Sequence, residues 1–369
     1  MSKVLKCLCY FILGTLYFSN LHANNFAYII VDGQSGKVMA QHRADELRPP
    51  ASLTKKMTLY LLFEALHAGK ISLQTQFSVS QRATSQEPSN LGLRAGEKIS
   101  VKNIIYSLIT RSANDMAIAA AEGLAGSVEA FSNMMNKKAN ALGMTRTKFY
   151  TPHGLPARGQ VTSARDMMIL ARALHTKFPK EYALFKTKEF RYNGKPVHNH
   201  NRMLKSFTGM DGIKTGFTFA SRFNISASAQ RIGSEGKPIR VFAVVLGGQT
   251  SVSRDKKTAE LMERAFNKLN ATPRMQQVAA TSAAEDIIDE LVAEVDCAIQ
   301  PEIPAVIKPV AKKANTRKNL KRKKEDKSIQ ISKPPVLKDP IEEILNSSAP
   351  ISIDINNALP AGWVKANPA

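Results

Sequence analysis

The sequence predicts an α+β fold in which helices flank an antiparallel sheet, with a mostly disordered C-terminal tail. Two strands of a hairpin are expected at residues 27–32 and 37–42, a series of helices follows, and strands return between residues 188 and 246. Because strands lie on both sides of the helical region, the sheet should be antiparallel and assembled from both ends of the domain. After residue 271 the composition becomes charged and proline-rich.

The N-terminus has the three parts of a secretory signal peptide. Two lysines precede an apolar run from Cys7 to Phe18, and a short segment then ends at the small residue Ala23. This order predicts a signal peptide over residues 1–23 and a mature protein exported to the periplasm. An uncleaved anchor is the alternative, although the run is short for a membrane span. The mature chain keeps one cysteine, Cys297, which excludes an internal disulfide.

The first part of the compact region reads as a hairpin and a helical lobe. The hairpin turns at Gly33–Gly36. The first helix is expected to start at Ser52, because Pro49 and Pro50 hold the backbone extended before it, and to end near Gly69. Short strands and loops are expected over residues 71–100, followed by helices over 101–110, 115–123 and 127–141.

The second part of the compact region becomes rich in strands. Residues 144–162 lack a regular pattern, and Ser163 begins a capping sequence before a helix that should reach about His175. A basic helix over about 254–269 closes the compact region. The strands expected between these helices are 188–193, 211–217, 222–229 and 239–246.

The net charge of +22 is unevenly distributed. Most of the excess lies between residues 24 and 276, whereas residues 277–300 hold six acidic and no basic side chains. Residues 301–340 hold twelve basic and four acidic ones. A positive field attracts polyanions. Because export argues against nucleic acid, we expect acidic lipids, wall polymers or peptidoglycan carboxylates, and charge that only aids solubility is the alternative.

Ser52 and Lys55 have the spacing of a nucleophile and its base. Residues three apart share a helix face, so Lys55 Nζ can reach Ser52 Oγ. A hydroxyl is a weak nucleophile until its proton is removed, and a partly desolvated lysine can remove it. Unpaired N–H groups at the helix start can stabilise negative charge beside the serine. The same pattern recurs at Ser253–Lys256, so this motif alone decides nothing.

Two further motifs, Ser112-Ala113-Asn114 and Lys214-Thr215-Gly216, follow Ser52 and Lys55 along the chain. The order Ser-x-x-Lys, Ser-x-Asn and Lys-Thr-Gly is similar to the signature of penicillin-binding proteins and serine β-lactamases. Ser112-Ala113-Asn114 lies between two predicted helices, where a loop can direct polar groups into a cleft. Ser112 can relay a proton to the leaving amine, and Asn114 can bind the substrate amide. Lys214-Thr215-Gly216 lies in a predicted strand.

The strand motif supplies charge and close backbone approach. Lys214 favours the neutral form of Lys55 and attracts a substrate carboxylate, with Thr215 beside it in the substrate-binding strand. Gly216 allows the strand edge to come close to its neighbours. The N–H of the next residue, Phe217, can complete an oxyanion hole with that of the nucleophile.

The chain resembles the D-alanyl-D-alanine carboxypeptidases among the low-molecular-mass penicillin-binding proteins over about residues 26–270. The segments that follow the family pattern are Pro50–Lys55, Ser112–Asp115, Pro152–Leu155, Ala164–Met167, Asp211–Gly216 and Gly247–Thr250. The resemblance implies a β-lactamase/transpeptidase-like fold with a catalytic domain over residues 24–271. It also implies serine-type acyl transfer without metal or cofactor, peptidoglycan stem peptides as substrates and β-lactam antibiotics as covalent inhibitors. Arg254 stands where the family arginine holds the terminal D-alanine carboxylate. The alternative is that Arg254 only lies at the start of a helix and binds no ligand.

The chain departs from the family pattern at Asn199-His200-Asn201-Arg202, where the family often has Asn-Arg-Asn before the strand motif. Either His200 replaces a rim arginine or Arg202 serves in its place. His153 is expected to brace its loop rather than to carry protons.

Three different functions can be built on a chain with this pattern. A class A β-lactamase needs a loop glutamate for fast deacylation, but residues 148–162 contain no Asp or Glu. Penicillin should therefore acylate Ser52 and leave slowly. Endopeptidase or transpeptidase activity on cross-links would use the same catalytic residues. A non-catalytic wall-binding scaffold would be expected to have lost the serine or the lysine, and both are present.

Two segments follow the predicted catalytic domain. Residues 272–300 are predicted to form an acidic amphipathic helix, and residues 301–369 a basic, Pro- and Lys-rich, largely disordered tail. Anionic lipid would repel the acidic helix, so we expect this helix to dock on the basic domain or on a partner. The basic tail is expected to contact an anionic membrane or wall, which would place the protein peripherally on the inner membrane.

Overall fold

A five-stranded antiparallel sheet organises residues 26–271, the part of the chain that the computed structural model describes. The described strands are β1 (Ala27–Asp32), β2 (Val38–His42), β3 (Gln76–Ser78), β4 (Lys98–Ser100), β5 (Glu189–Tyr192), β6 (Lys195–His198), β7 (Met210–Thr218), β8 (Arg222–Ile232) and β9 (Pro238–Gly248). The sheet has the order β2-β1-β9-β8-β7, and β3–β4 and β5–β6 form two separate ribbons. The predicted antiparallel sheet, built from both ends of the domain, is confirmed.

Helices cover both faces of this sheet. The described α-helices are α1 (Lys55–His67), α2 (Gln81–Thr84), α3 (Val101–Ile109), α4 (Asn114–Ala125), α5 (Val128–Ala141), α6 (Ala164–Lys177), α7 (Pro179–Tyr182), α8 (Met203–Ser206) and α9 (Ser251–Lys268). Two 3₁₀ turns, Ala51–Thr54 and Ala183–Lys186, accompany them.

Apolar side chains alternate between the two faces of the sheet and form two cores. On β9, Val244 belongs to the core shared with the helical lobe, while its neighbour Val245 belongs to the core under α9. On β1, Ile29 and Ile30 divide in the same way. Because both faces of these strands are buried, their sequences are nearly continuous apolar runs.

The differences from the predicted elements lie mainly at their ends. Ser52 does not begin an α-helix; it lies in the 3₁₀ turn, and α1 begins at Lys55. The last helix begins earlier than predicted, at Ser251, because the side chains of Thr250 and Ser253 form a capping box. The prediction missed β6, where Pro196 stands inside a short strand that pairs on one side only.

Several predicted segments lie outside the described residues. They are the signal peptide over 1–23, the acidic helix over 272–300 and the basic tail over 301–369. Within residues 26–271, no helix is both long enough and apolar enough to cross a membrane.

Candidate active site

The predicted nucleophile and base are in contact. Lys55 Nζ donates a hydrogen bond of 3.0 Å to Ser52 Oγ. The 3₁₀ turn favours this contact, because side chains three residues apart eclipse in that geometry. Ala51, directly before the serine, has a left-handed φ of 47°. Gly154 crosses over its carbonyl, and a Cβ on Gly154 would lie 1.9 Å from the carbonyl oxygen of Ala51. The loop around residue 154 therefore fixes the backbone that carries the nucleophile.

Lys55 is fully buried, and within residues 26–271 it has no carboxylate among its hydrogen-bond partners. Besides the serine, its Nζ donates to Asn114 Oδ1 at 2.7 Å and to the carbonyl of His153 at 2.8 Å. Burial, and then the charge of Lys214, lower the pKa of Lys55 well below its usual value, while Asp115 opposes the shift. A neutral amine has a lone pair, so Lys55 can accept the hydroxyl proton of the serine.

Ser112 lies between α3 and α4, and Asn114 is the first residue of α4. Ser112 has a left-handed φ of 60°, and its buried Oγ has no hydrogen-bond partner within residues 26–271. Strained backbone and unpartnered polar atoms recur at functional sites. The side-chain amide of Asn114 is engaged differently: Nδ2 donates to the carbonyl of Glu87 at 2.8 Å, and Oδ1 accepts from Lys55. Its predicted contact with substrate stays a prediction.

The edge strand β7 forms the wall on the sheet side. A Cβ on Gly216 would lie 2.9 Å from the backbone N of Ser52, so only glycine permits this approach. Lys214 is buried, and burial and the charge of Arg254 lower its pKa to about 7. Its Nζ donates to the carbonyl of Thr215 at 3.1 Å. The N–H of Phe217 follows at the same edge, and its place in an oxyanion hole stays a prediction.

Arg254 lies in the first turn of α9 and is buried. Its Nε donates to Asp255 Oδ1 at 2.8 Å, and its Nη1 lies 3.4 Å from the carbonyl oxygen of Asn224. The charge of Arg254 is, after burial, the second cause that lowers the pKa of Lys214, so the two cations interact electrostatically. This juxtaposition fits the predicted carboxylate site, whose ligand role remains a prediction.

The family model described as D-alanyl-D-alanine carboxypeptidase matches residues 18–250. The chain belongs to this family. Among curated relatives, DacC of Escherichia coli is 41% identical over 247 residues, which cover 65% of this chain and 60% of that protein. DacF of Bacillus subtilis is 35% identical over 250 residues, covering 66% of this chain and 63% of that protein. The chain thus spans about 60% of the length of the curated relatives it matches.

Solved structures of the family have the same fold. Penicillin-binding protein 5 from Haemophilus influenzae superposes with a TM-score of 0.62 at 33% identity, covering 65% of this chain and 70% of that one. The D-alanyl-D-alanine carboxypeptidase DacD from Francisella tularensis also gives 0.62, at 31% identity and the same coverage. The expected penicillin-binding protein fold is therefore confirmed.

Three further side chains support the site from outside the set of predicted catalytic and substrate-binding residues. Asp115 accepts hydrogen bonds from the N–H groups of Leu91 and Gly92, at 3.0 and 2.9 Å, and so ties a neighbouring loop to α4. His153 Nδ1 accepts from the N–H of Leu155 at 3.0 Å, and burial lowers the pKa of His153 to about 3. It is therefore a neutral brace for its loop, as expected.

Lys56 is the third contribution and the least expected. It is fully buried, and its Nζ donates to the carbonyl of Met167 at 2.8 Å and to Ser226 Oγ at 2.9 Å. It thereby links α1 to α6 and β8. The sequence shows only that this lysine interrupts an apolar helix, which is also compatible with a lysine at the surface. His200, on the rim, has an exposed side chain, while its backbone N–H donates to the carbonyl of Thr110 at 3.1 Å.

Proposed function

We propose that this protein is a serine-type D-alanyl-D-alanine carboxypeptidase that removes the terminal D-alanine from peptidoglycan stem peptides. The observation that carries the proposal is the buried Lys55, which donates a hydrogen bond to Ser52 and has no carboxylate partner in the described part of the chain. A lysine in this environment has a lowered pKa and serves as a base rather than as a structural cation. Membership of the family supplies the substrate class.

In the first step, Ser52 Oγ attacks the carbonyl carbon of the penultimate D-alanine while Lys55 takes the hydroxyl proton. The N–H groups of Ser52 and Phe217 stabilise the resulting oxyanion. The C–N bond then breaks as Ser112 gives its proton to the departing amine of the terminal D-alanine and receives the proton held by Lys55, which becomes neutral again. In the second step, water attacks the ester while Lys55 takes a proton from the water. The ester bond breaks, this proton passes to Ser52 Oγ, and the shortened peptide leaves.

Recognition of the free C-terminus falls to the cationic side of the cleft. The charge of Arg254 acts on Lys214, and Thr215 follows Lys214 on the same strand. A terminal carboxylate between these groups would receive charge-assisted hydrogen bonds and would raise the pKa of Lys214 again. Asn114 would exchange part of its present bonding for the substrate amide. A peptide without a free carboxylate would lack this anchor.

β-Lactam antibiotics are proposed as covalent inhibitors at the same serine. A related structure, penicillin-binding protein D2 from Listeria monocytogenes in the ampicillin-bound form, is 29% identical, with a TM-score of 0.57 over 65% of this chain and 96% of that one. Because residues 148–162 contain no acidic residue to activate water, we expect the penicilloyl ester to be long-lived.

The test is mass spectrometry of a stem pentapeptide ending in D-Ala-D-Ala after incubation with the mature protein. We expect the loss of one alanine with the wild type and no loss with Ser52→Ala. The same variant should lose covalent labelling by penicillin, and retained labelling would refute the assignment of the nucleophile. Labelling of Ser52 without loss of alanine would replace the carboxypeptidase by an endopeptidase or transpeptidase acting on cross-links.

We also propose export to the periplasm and contact of the basic tail with an anionic surface. The support is the charge of residues 301–340 and the N-terminal signal pattern. Each basic residue near an anionic bilayer adds to its binding. Reversing the charge of Lys321, Arg322, Lys323 and Lys324 should weaken binding to vesicles of anionic lipid or to isolated walls. Binding that is unchanged in the variant would exclude this role of the tail.

A further inference from the structure

A cavity of about 490 Å³ lies between the loop that follows α2 and the loop around residue 154. Its volume is within the range of about 300 to 1,000 Å³ that is usual for small-molecule sites. Part of its lining is apolar: Ile118 and Val128 are buried side chains of α4 and α5, and Leu155 and Pro156 belong to the loop around residue 154. No step of the proposed reaction uses this cavity, so its ligand is unassigned.

The cavity borders the catalytic residues on two sides. Glu87 lines it, and the carbonyl of Glu87 accepts a hydrogen bond of 2.8 Å from Asn114 Nδ2. His153 also lines it, and the carbonyl of His153 accepts a hydrogen bond of 2.8 Å from Lys55 Nζ. Ile118 follows Asn114 by one turn of α4, so their side chains share a face of that helix. The cavity therefore adjoins the place where Asn114 and Lys55 meet.

The ring of His153 offers a hydrogen-bond donor to this cavity. His153 is only 5% exposed, and its Nδ1 accepts from the N–H of Leu155. A neutral imidazole that accepts at Nδ1 carries its proton on Nε2. Within residues 26–271 this Nε2 has no hydrogen-bond partner, yet it is not among the polar atoms that are sealed from solvent. Because buried polar groups are normally paired, the free N–H indicates an acceptor on a ligand.

Two opposite charges complete the lining. Arg82 bonds to Glu129 through Nη1 alone, which leaves the other N–H groups of its guanidinium for a ligand in the described part of the chain. Glu87 is exposed, and within residues 26–271 its carboxylate forms no ion pair. The guanidinium and the imidazole N–H suit a carboxylate, whereas the carboxylate of Glu87 suits an ammonium group. The lining therefore complements a ligand that carries both charges on an apolar stem.

We propose that this cavity is a subsite for the residue directly before the terminal D-Ala-D-Ala, and that it selects a side chain ending in both an ammonium and a carboxylate group. This inference rests on the proposed carboxypeptidase function, which assigns the terminal carboxylate to Lys214 and Arg254. The amide that Asn114 binds then belongs to the acyl part of the peptide. The side chain next to that amide is the one that reaches the cavity.

Each part of this side chain has a partner in the lining. Its methylene groups pack against Ile118 and Leu155. Its ammonium group binds the carboxylate of Glu87, which is otherwise unpaired within residues 26–271. Its carboxylate accepts from Nε2 of His153 and from the guanidinium of Arg82. The charge of Arg82 already acts on the ring of His153, so the two donors interact electrostatically.

The test compares three matched peptides of the form acetyl-X-D-Ala-D-Ala, in which X is meso-diaminopimelate, lysine or α-aminopimelate. Lysine lacks only the side-chain carboxylate of diaminopimelate, and α-aminopimelate lacks only the side-chain amino group. We expect the wild type to favour the diaminopimelyl peptide over each of the others by about tenfold in kcat/KM, mainly through KM.

Substitutions in the lining should remove the two preferences separately. Glu87→Gln should abolish the preference over the α-aminopimelyl peptide and keep the preference over the lysyl peptide. His153→Asn and Arg82→Gln should each reduce the preference over the lysyl peptide roughly threefold and keep the other. Asparagine at position 153 can still accept from the N–H of Leu155, so the loop keeps its internal hydrogen bond. Because each preference is a ratio within one variant, a general loss of activity cancels.

Glu235 offers a matched control. It is an exposed glutamate between β8 and β9, at the end of β8 that lies far from Gly216. Glu235→Gln changes the net charge as Glu87→Gln does and should keep both preferences. A wild type that prefers none of the three peptides, or a Glu87→Gln variant that still prefers the diaminopimelyl to the α-aminopimelyl peptide, would overturn the subsite.

A binding measurement separates this inference from the proposed function. Calorimetric titration of the three peptides into Ser52→Ala, and into Ser52→Ala combined with Glu87→Gln, reports affinity without turnover. If the wild type hydrolyses none of the peptides, the proposed function fails, and the order of affinities in Ser52→Ala still decides the subsite. Equal affinity for the three peptides, or no binding of any of them, would reject it.

Discussion

At the scale of single residues, the candidate site depends on two lysines whose pKa values are lowered by burial and by neighbouring cations. Lys55 is depressed by burial and by Lys214, and Lys214 by burial and by Arg254. The reaction needs the two lysines in different protonation states. Lys55 must be neutral to act as a base, whereas Lys214 must be charged to attract a carboxylate.

Lys214→Met should change the pH dependence of acylation in a defined direction. The positive charge of Lys214 lowers the pKa of Lys55, so its removal raises that pKa and moves the acidic limb of the profile to higher pH. In the wild type, Lys214 loses its proton above about pH 7, which gives a falling alkaline limb that the variant should lack. We expect kcat/KM to fall roughly 100-fold near neutrality.

The measurement is the rate of labelling by a fluorescent penicillin from about pH 5 to about pH 10. Lys195→Met, which removes an exposed lysine from β6, is the control and should keep the wild-type profile. An acidic limb at the same pH in Lys214→Met and in the wild type would show that Lys214 does not set the pKa of Lys55.

The motifs predict which residues meet but not all of their partners. The Ser-x-x-Lys spacing predicts the contact between Ser52 and Lys55 because that contact is local. The contact of Lys55 with Asn114 joins positions 59 residues apart and depends on how α1 packs against α4. Lys56 could not be placed for the same reason, since its acceptors belong to two other elements.

At the scale of elements, local rules predict the presence of helices and strands better than their limits. The capping box moves the start of α9 to Ser251, and it consists only of Thr250 and Ser253, so it could be found in the sequence. The 3₁₀ turn before α1 is different. It depends on Gly154 and Gly216, which press on the backbone of Ala51 and Ser52 from other elements. Tertiary contact therefore decides the geometry of the nucleophile.

The register of β7 on β8 likewise combines a feature that the sequence shows with one that only the folded structure fixes. Alternation within each strand is visible in the sequence, but the pairing of Thr218 with Arg222 becomes known only when the length of the turn is fixed. Hydrogen bonds between Thr218 and Ser221 hold that turn. The exposed Arg222 could thus not be assigned to the face of Gly216 from the sequence alone.

At the scale of the whole molecule, the excess of basic residues extends into the interior. Lys55, Lys56 and Lys214 are all buried, and burial is the largest cause that lowers the pKa of each. In the unfolded chain these lysines titrate near their ordinary value of about 10.4. Between the folded and unfolded values, the unfolded chain binds more protons than the folded one, so the free energy of unfolding rises with pH.

We therefore expect the domain to gain stability as the pH rises from about 7 to about 10, by up to about 1.4 kcal/mol per pH unit for each such lysine. Lys56→Met should remove one of these contributions and leave a shallower slope. The slope is decisive, because the two hydrogen bonds lost to Met167 and Ser226 shift the whole curve without changing its pH dependence. Urea unfolding followed by circular dichroism at several pH values measures this slope.

Lys70→Met, at an exposed position, should retain the wild-type slope. If Lys56→Met also retained it, Lys56 would be charged in the folded protein, and its two neutral acceptors would suffice to hold a buried ammonium group.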